Sequence, residues 1–289
     1  MKVNTEWKDY SLVATGRGEK AERYGDIVLL RPDPQIIWEP ISGFVGGKEV
    51  DAHYIRSSSG GGQWNMKKEL GKFNVHWRNL TFELKLMGFK HVGIFPEQAV
   101  NWARMIEVIK QTDREINVLN LFGYTGGATA ACVSAGARVC HVDAAKSMCE
   151  TAKTNVRLSG LDETKTRFII DDCIKFVERE IRRGKKYDAV IMDPPSYGRG
   201  PKGETWRLED GIFDLVKLTL GVMSDNPVFY LINSYTTGLQ PTVMKNVIDI
   251  VFKDVPHVVD ADEIGIKGED GIILPCGCSA FATFSENKK

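Results

Sequence analysis

The residues Asp193-Pro194-Pro195 end the apolar run YDAVIM and are followed by Ser196 and Tyr197. Asp-Pro pairs often begin ordinary turns, because proline fixes φ and cannot donate to a sheet ladder. The same residues could also do chemistry, since a carboxylate and a proline carbonyl can each accept one N–H of an amino group. A neighbouring aromatic ring can stack on a base. Taken alone, the stretch fits a turn as well as a reaction centre.

A second candidate is the turn within NLFGYTGGAT, residues 120–129. An apolar strand, a glycine-rich turn and a helix of small residues bring backbone close to a ligand at a helix N-terminus. The turn is not a GxGxxG fingerprint, because Tyr124 and Thr125 separate Gly123 from Gly126. On its own it is weak evidence for a cofactor.

Acidic residues follow the next two predicted strands. Asp143 lies about twenty residues after the first glycine, where a carboxylate can accept both hydroxyls of a ribose. It could equally cap the helix that begins near Ala144. Asp171 and Asp172 follow the third strand, where one acid could cap a helix and an oxygen could accept from an adenine amino group.

The elements that position these residues alternate along the chain after residue 96. Apolar residues at helical spacing predict a helix over 97–110, and further strands and helices then follow in turn. The strands are predicted over 118–122, the end of ARVCHV, TRFII, YDAVIM and VFYLIN, with two closing strands in HVVDADEI and CSAFATFS. Wholly apolar strands between helices predict a mostly parallel sheet covered on both faces, with one antiparallel late strand. The ligand of such a sheet lies beyond the carboxyl ends of its strands.

The order of the four strand ends favours one pocket over four unrelated turns. The glycine turn and the first two acidic ends would also fit a nicotinamide dehydrogenase. The Asp-Pro-Pro end does not help that interpretation, and the turn departs from the dinucleotide fingerprint. No proton-relay histidine is evident near a later strand end.

Residues 1–88 predict a β-rich domain, and residues 89–289 the larger domain. Period-two alternation over 73–86 predicts a hairpin. Residues 65–91 hold six Lys or Arg against two Glu, with Trp and Phe interleaved. That mixture suits single-stranded RNA, which binds by stacking and phosphate contacts. It equally suits a small β-domain with an aromatic core and a solvated basic face.

Composition, net charge and cysteine spacing further narrow the classes of protein to which the chain could belong. The 289 residues are 43% hydrophobic and 26% charged with zero formal net charge, so nothing global indicates a nucleic-acid or membrane partner. We find no secretory signal and no apolar run long enough to span a bilayer, and expect a cytoplasmic protein. The six cysteines lack zinc spacing, so we expect no metal. A homodimer remains open.

With these motifs in order, the chain resembles the class I S-adenosylmethionine-dependent methyltransferases. It resembles most the branch of the bacterial large-subunit rRNA methyltransferases, through GFKHVGIFPEQAVNW, NLFGYTGGAT, VDAAKSMCETAKTNVRLSG, the two acids after strand three and IMDPPSYGRGPKGETW. The resemblance covers about residues 85–289 and the N-terminal segment more loosely. It implies a Rossmann-like methyltransferase fold with a seven-stranded sheet and S-adenosyl-L-methionine as cofactor.

The resemblance also implies roles for residues of this chain. Asp143 would hold the ribose, Ala144 would pack near adenine, and Asp172 would meet the adenine amino group beside Cys173. Phe95 and Gln98 would close over the cofactor. The methionine part would be lined by Phe122, Gly123, Tyr124, Thr125 and Gly126.

The resemblance leaves two chemistries to compare at Asp193-Pro194-Pro195. Methyltransferases of exocyclic amines carry an aromatic directly after the second proline, where this chain has Ser196 and places Tyr197 one position later. Cytosine C5 methylation needs a thiolate, expected after strand four or strand five, where this chain has Ser196 and the segment 233–235, NSY. We therefore predict non-covalent in-line transfer with Asp193, Pro194, Pro195 and Tyr197 as the catalytic set.

The sequence constrains the substrate less than it constrains the fold or the cofactor. RNA, and an rRNA base in particular, is favoured, and a small molecule, a protein or a non-catalytic cofactor-binding module are the alternatives. The loop 198–210, which contains Lys202, Trp206 and Arg207, could close on a substrate or be an ordinary solvated loop.

Overall fold

The chain folds as two compact units in the computed structural model, which describes residues 1–41, 50–57, 61–199 and 205–285. The first unit comprises Met1–Val100 and Gly265–Cys276, and the second comprises Asn101–Ile264 and Gly277–Lys289. The division predicted after residue 88 remains a sequence-based prediction. No helix in the described ranges is long and apolar enough to cross a membrane.

The first unit is built from β-strands. Its strands are β1 (Lys2–Val3), β2 (Tyr10–Gly16), β3 (Glu19–Tyr24), β4 (Ile27–Pro32), β5 (Ala52–Arg56), β6 (Gly62–Met66), β7 (Phe73–Trp77) and β8 (Leu80–Leu84). Strands β2 to β6 form one sheet in sequence order, and β7 pairs with β8 as the predicted hairpin. Arg78 turns this hairpin with a left-handed φ of 51°.

Two aromatic side chains of the basic segment 65–91 are buried, and the neighbouring Trp64 indole is hydrogen-bonded. Trp77 and Phe82 are 0% and 1% exposed, and the Trp64 indole donates to the Met87 carbonyl at 2.7 Å. Two of the basic residues are paired, since Lys72 lies 2.7 Å from Glu83 and Arg78 binds Glu6 through two nitrogens. Phe89 is the exception, with 73% of its surface exposed.

The second unit alternates strands and helices, as the sequence predicts. Its elements are α1 (Ala99–Gln111), β9 (Asn117–Leu121), α2 (Gly127–Ser134), β10 (Arg138–Asp143), α3 (Lys146–Leu158), β11 (Thr166–Ile170), α4 (Cys173–Arg182), β12 (Ala189–Met192), β13 (Tyr197–Arg199), β14 (Thr205–Arg207), α5 (Leu208–Thr219), β15 (Phe229–Ser234), α6 (Pro241–Val251), β16 (His257–Lys267) and β17 (Ile273–Phe284). Helix α1 and strands β16 and β17 run across the unit boundary. Gly160, predicted to stop α3, follows its end with a φ of 66°.

The main sheet has the order β1-β16-β17-β15-β12-β9-β10-β11. Strands β11, β10, β9, β12 and β15 pair in parallel, and β17 runs antiparallel to β15. The predicted α/β class with a mostly parallel sheet is therefore confirmed, and β17 is an antiparallel late strand as expected. Among the described residues the sheet has eight strands, because β1 joins it, where the resemblance implied seven.

Alternation along the buried strands shows that both faces of this sheet are covered. Leu119, Val190 and Tyr230 belong to the core that includes residues of α4, α5 and α6. The neighbouring positions point to the opposite face, where Val118 is fully buried and Asn120 hydrogen-bonds to Thr129 of α2.

The strand register brings the predicted site segments to one edge. Leu121 lies beside Val142 on one side and beside Met192 on the other. Asp143 lies beside Ile170, and Met192 beside Ile232. Because these strands are parallel, the residues that follow them emerge at the same edge of the sheet.

Candidate active site

The turn after β9 carries left-handed backbone at three positions. Phe122, Tyr124 and Gly126 have φ values of 56°, 49° and 83°. Such conformations cost about 1–3 kcal/mol at residues other than glycine and cluster at ligand sites. The turn is also anchored, because the Gly123 N–H donates to the Val142 carbonyl at 3.0 Å. This turn is the one that the sequence predicts for the cofactor.

A buried histidine packs directly against the glycine turn. A Cβ atom at Gly123 would lie 2.4 Å from Cε1 of His141, so any larger residue there would require the imidazole ring to move. Nδ1 of His141 lies 2.9 Å from the Thr129 hydroxyl, which accepts from the Asn120 amide at 2.9 Å. Burial lowers the pKa of His141 to about 4, so the ring is neutral at pH 7. Sequence reasoning missed this polar group, because its members lie in apolar runs.

Asp143 joins the glycine turn to the start of the next helix. Its Oδ2 accepts the Tyr124 N–H at 2.9 Å, and its Oδ1 accepts the Ala145 N–H at 2.8 Å. Ala145, and not Asp143, is the N-cap residue of α3. Burial raises the pKa of Asp143, and the two N–H donors oppose that rise. Ala144 lies exposed beside it.

The two acids after β11 have different partners. Asp172 is the N-cap of α4, where its Oδ1 accepts the Lys175 N–H at 3.0 Å. Asp171 forms an ion pair with Arg179. Asp172 is exposed as well as capping, so the cap and the predicted adenine contact are compatible.

Cys173 links α4 to the glycine turn. The Phe122 N–H donates to its Sγ at 3.3 Å. Burial raises the pKa of Cys173 to about 12, so it carries a thiol at neutral pH. At neutral pH, Cys173 therefore holds the glycine turn as a neutral thiol that accepts a hydrogen bond.

The Asp-Pro-Pro turn follows β12 and is held at several atoms. Pro194 is buried, and Asp193 is partly exposed. The Pro195 carbonyl accepts the Trp206 indole N–H at 2.7 Å. The Ser196 hydroxyl accepts from the Thr236 hydroxyl at 2.7 Å.

The segment after this turn is partly a hairpin. Strands β13 and β14 pair antiparallel, with Gly198 opposite Trp206. Trp206 and Arg207 thus lie in a strand, although the sequence predicted a loop there, and Lys202 lies outside the described residues. Tyr197 begins β13 with 51% of its surface exposed.

No cysteine of the second unit has the properties of a nucleophile. The Cys278 thiol donates to the Leu239 carbonyl at 3.3 Å, and burial raises its pKa to about 11. Burial likewise raises the pKa of Cys140 and of Cys149 to about 11 and raises that of Cys132. A reactive cysteine instead needs a lowered pKa and access to solvent. Within the described ranges, no three His, Cys, Asp or Glu side chains are grouped as a metal site.

The end of β15 carries a buried amide where a thiol would be needed for covalent chemistry. The Asn101 amide donates to Oδ1 of Asn233 at 3.1 Å, and the Ser279 hydroxyl donates to Oδ1 of Asn101 at 3.3 Å. Gln98 lies in the first unit, in the short turn Pro96–Gln98 before α1, and its cofactor role stays a prediction, as does that of Phe95.

A doubly wound sheet with a glycine turn and acids at its strand ends defines an α/β protein of the nucleotide-cofactor-binding class. Comparison with known families narrows this class. Residues 30–210 match the model of the S-adenosylmethionine-dependent methyltransferases, and the chain belongs to that family.

Solved structures agree with this assignment. An S-adenosylmethionine-dependent methyltransferase from Agrobacterium tumefaciens is 33% identical with a TM-score of 0.89, covering 99% of this chain and 92% of that one. A structure solved as a complex with SAH shares the fold, with a TM-score of 0.76 and 18% identity over 97% of this chain and 76% of that one.

Curated relatives match over shorter stretches. The ribosomal RNA large subunit methyltransferase I of Klebsiella pneumoniae is 33% identical over 126 residues. That match spans 43% of this chain and only 31% of the relative.

Proposed function

We propose that the protein transfers a methyl group from S-adenosyl-L-methionine to an amino group of an RNA base, with rRNA as the favoured RNA. One observation carries this proposal. Asp193-Pro194-Pro195 emerges at the sheet edge that also holds the Phe122–Gly126 turn and Asp143. The cofactor side and the acceptor side are thereby adjacent.

The residues of this edge suit the cofactor. Phe122, Gly123 and Tyr124 are partly exposed, and Asp143 presents a carboxylate whose raised pKa reflects a desolvated position. We assign Asp143 to the ribose and the turn, including Thr125 and Gly126, to the methionine part. When bound, the cofactor supplies a methyl group on a sulfonium sulfur for in-line displacement.

On the acceptor side, we assign the Asp193 carboxylate and a proline carbonyl to the two N–H groups of the acceptor amine. Since the Pro195 carbonyl already accepts from Trp206, the Pro194 carbonyl is the one assigned to the substrate. Accepting these two hydrogen bonds directs the nitrogen lone pair at the methyl carbon. The nitrogen–carbon bond forms as the carbon–sulfur bond breaks, SAH is the leaving group, and the proton that the nitrogen loses passes to the Asp193 carboxylate. Tyr197, with its ring half exposed, is the residue assigned to stack on the base.

The thiols support a non-covalent route. Covalent C5 methylation of cytosine requires a thiolate at the acceptor, and the acceptor turn offers Ser196 at that position. Cys278 has a raised pKa and donates to a carbonyl, and burial raises the pKa of Cys276 in the first unit.

An RNA substrate is supported by relatives such as the ribosomal RNA large subunit methyltransferase I of Klebsiella pneumoniae, of which the match covers less than a third. The exposed Lys68 and Lys85 of the first unit are available for phosphate contacts. Because the formal net charge is zero, we expect phosphate contacts to be confined to a small basic patch. A cytoplasmic location remains a prediction.

The test is methyl transfer from labelled cofactor to total RNA isolated from cells that lack the protein. We expect label in an amine-methylated nucleoside, identified by mass after nuclease digestion, and a KM for RNA that rises steeply with salt. Label in 5-methylcytosine would overturn the amine assignment. Label in protein or in a small molecule would favour those substrates, and cofactor binding without transfer to any acceptor would favour a binding module.

A further inference from the structure

We infer that Trp206 is a positioning residue that holds the acceptor turn in register with the cofactor turn. The inference rests on the proposed function, because it assigns the turn at Pro195 to the acceptor. Trp206 itself is assigned no contact with the substrate or the methyl group.

The first observation is the hydrogen bond to Pro195. The indole Nε1–H of Trp206 donates to the Pro195 carbonyl at 2.7 Å. An indole N–H is a donor only, and the carbonyl it binds belongs to the peptide plane after Pro195, so this bond helps to fix the orientation of that plane. Pro195 is exposed, so water would replace the indole as the partner of its carbonyl if Trp206 were removed.

The second observation is the position of the indole ring. Its centroid lies 6.5 Å from that of Phe122, with 32° between the ring planes. Phe122 is the first residue of the glycine turn and has left-handed backbone. One side chain thus touches the residue that begins the cofactor turn and bonds the last proline of the acceptor turn.

The third observation is that the neighbouring helix leaves room for the ring. A Cβ atom at Gly211 of α5 would lie 2.4 Å from Cζ3 of Trp206. The pairing of Gly198 with Trp206 and the Leu208 N–H bond to the Ser196 carbonyl at 3.1 Å hold the two ends of the hairpin. The position of the Trp206 ring is therefore set by Phe122, by Gly211 and by the strand pairing with Gly198.

The test compares Trp206→Phe with Trp38→Phe. Trp206→Phe keeps a ring near Phe122 and removes the donor to Pro195. Trp38→Phe also removes an indole hydrogen bond, at 3.0 Å to the Thr15 hydroxyl, but in the first unit.

For Trp206→Phe we expect kcat to fall about tenfold, while the KM for S-adenosylmethionine and the Kd for SAH stay within about twofold. Amide hydrogen exchange in a peptide spanning residues 193–198 should become faster. Trp38→Phe should change none of these quantities.

Gly211→Ala provides a second variant if Trp206→Phe folds poorly. The added methyl displaces the ring and leaves the indole intact, so it should reproduce the loss of kcat and the faster exchange. Wild-type kcat and exchange in Trp206→Phe would overturn the inference, as would a loss of SAH affinity as large as the loss of kcat. If the wild-type protein methylates no RNA, the proposed function fails, and the exchange of residues 193–198 alone then decides whether Trp206 holds the turn.

Discussion

The backbone N–H of Tyr124 donates to Oδ2 of Asp143 over 2.9 Å. This bond connects the turn after β9 to the end of β10, two segments that are adjacent only because their strands pair in parallel. Tyr124 has a left-handed φ, so the carboxylate also stabilises a backbone conformation that is unfavourable by itself. Asp143 consequently has a structural task in addition to the cofactor contact proposed for it.

Asp143→Asn should weaken SAH binding by about 10- to 100-fold, measured by calorimetric titration. An amide has one acceptor oxygen where the carboxylate accepts two N–H groups, and charge-assisted bonds are the stronger ones. Asp162→Asn is the matched control, since Asp162 accepts the Thr164 N–H at 2.9 Å outside the proposed site. Equal affinities in wild type and Asp143→Asn would contradict the assignment.

The pH dependence of SAH binding should report the raised pKa of Asp143. Burial favours the protonated acid, so as pH falls this carboxyl takes up its proton at a higher pH than an ordinary aspartate. The proton occupies an oxygen that accepts a hydrogen bond, and the affinity should therefore drop on that acid side. Asp143→Asn should reduce this drop and leave the part that comes from His141, whose pKa is about 4. A wild-type affinity that is independent of pH down to about pH 4 would be inconsistent with the prediction.

Asp193→Ala should bind SAH normally and lose at least about a hundredfold in kcat, because it removes one of the two acceptors that align the amine. Asp193→Asn keeps one acceptor oxygen and should retain more activity. Single-turnover transfer from labelled cofactor separates this effect from binding. Wild-type turnover in Asp193→Ala would remove Asp193 from the catalytic set.

Gly123→Ala should destabilise the glycine turn by about 1–3 kcal/mol, because its Cβ would lie 2.4 Å from the buried His141 ring. Urea unfolding measures the loss, and SAH binding should weaken with it. Gly71→Ala is the control, since a Cβ there meets no atom within 4 Å. A Gly123→Ala protein as stable as Gly71→Ala would show that the imidazole moves aside easily.

Cys276→Ser and Cys278→Ser should each leave kcat within about twofold of wild type if no thiolate attacks the base. Serine at position 278 can keep the bond to the Leu239 carbonyl that the thiol makes at 3.3 Å. An RNA containing 5-fluorocytidine should form no covalent adduct with the protein. Loss of transfer with intact SAH binding in Cys276→Ser or Cys278→Ser would restore the covalent mechanism.

The strands and helices of the second unit were predictable because their signals are local. VLNLF, YDAVIM and VFYLIN are continuous apolar runs between helical periods, and each proved to be a buried parallel strand. Prediction was poorer for strands that contain several polar residues. Strands β2 and β3 were not identified, and β13 and β14 were expected to be loop, because a three-residue strand has too few positions for a period to appear.

The sequence by itself determined the order of the site segments and the family, because each segment is a short motif at a strand end. It left open whether Asp143 caps a helix, and the structure places that carboxylate on Tyr124 and Ala145 with Ala145 as the N-cap. Only the tertiary structure revealed His141 against Gly123 and the Trp206 bond to Pro195. These contacts join residues that are 18 and 11 positions apart, and no local pattern marks them, because they depend on how strands pair and which side chains meet across them.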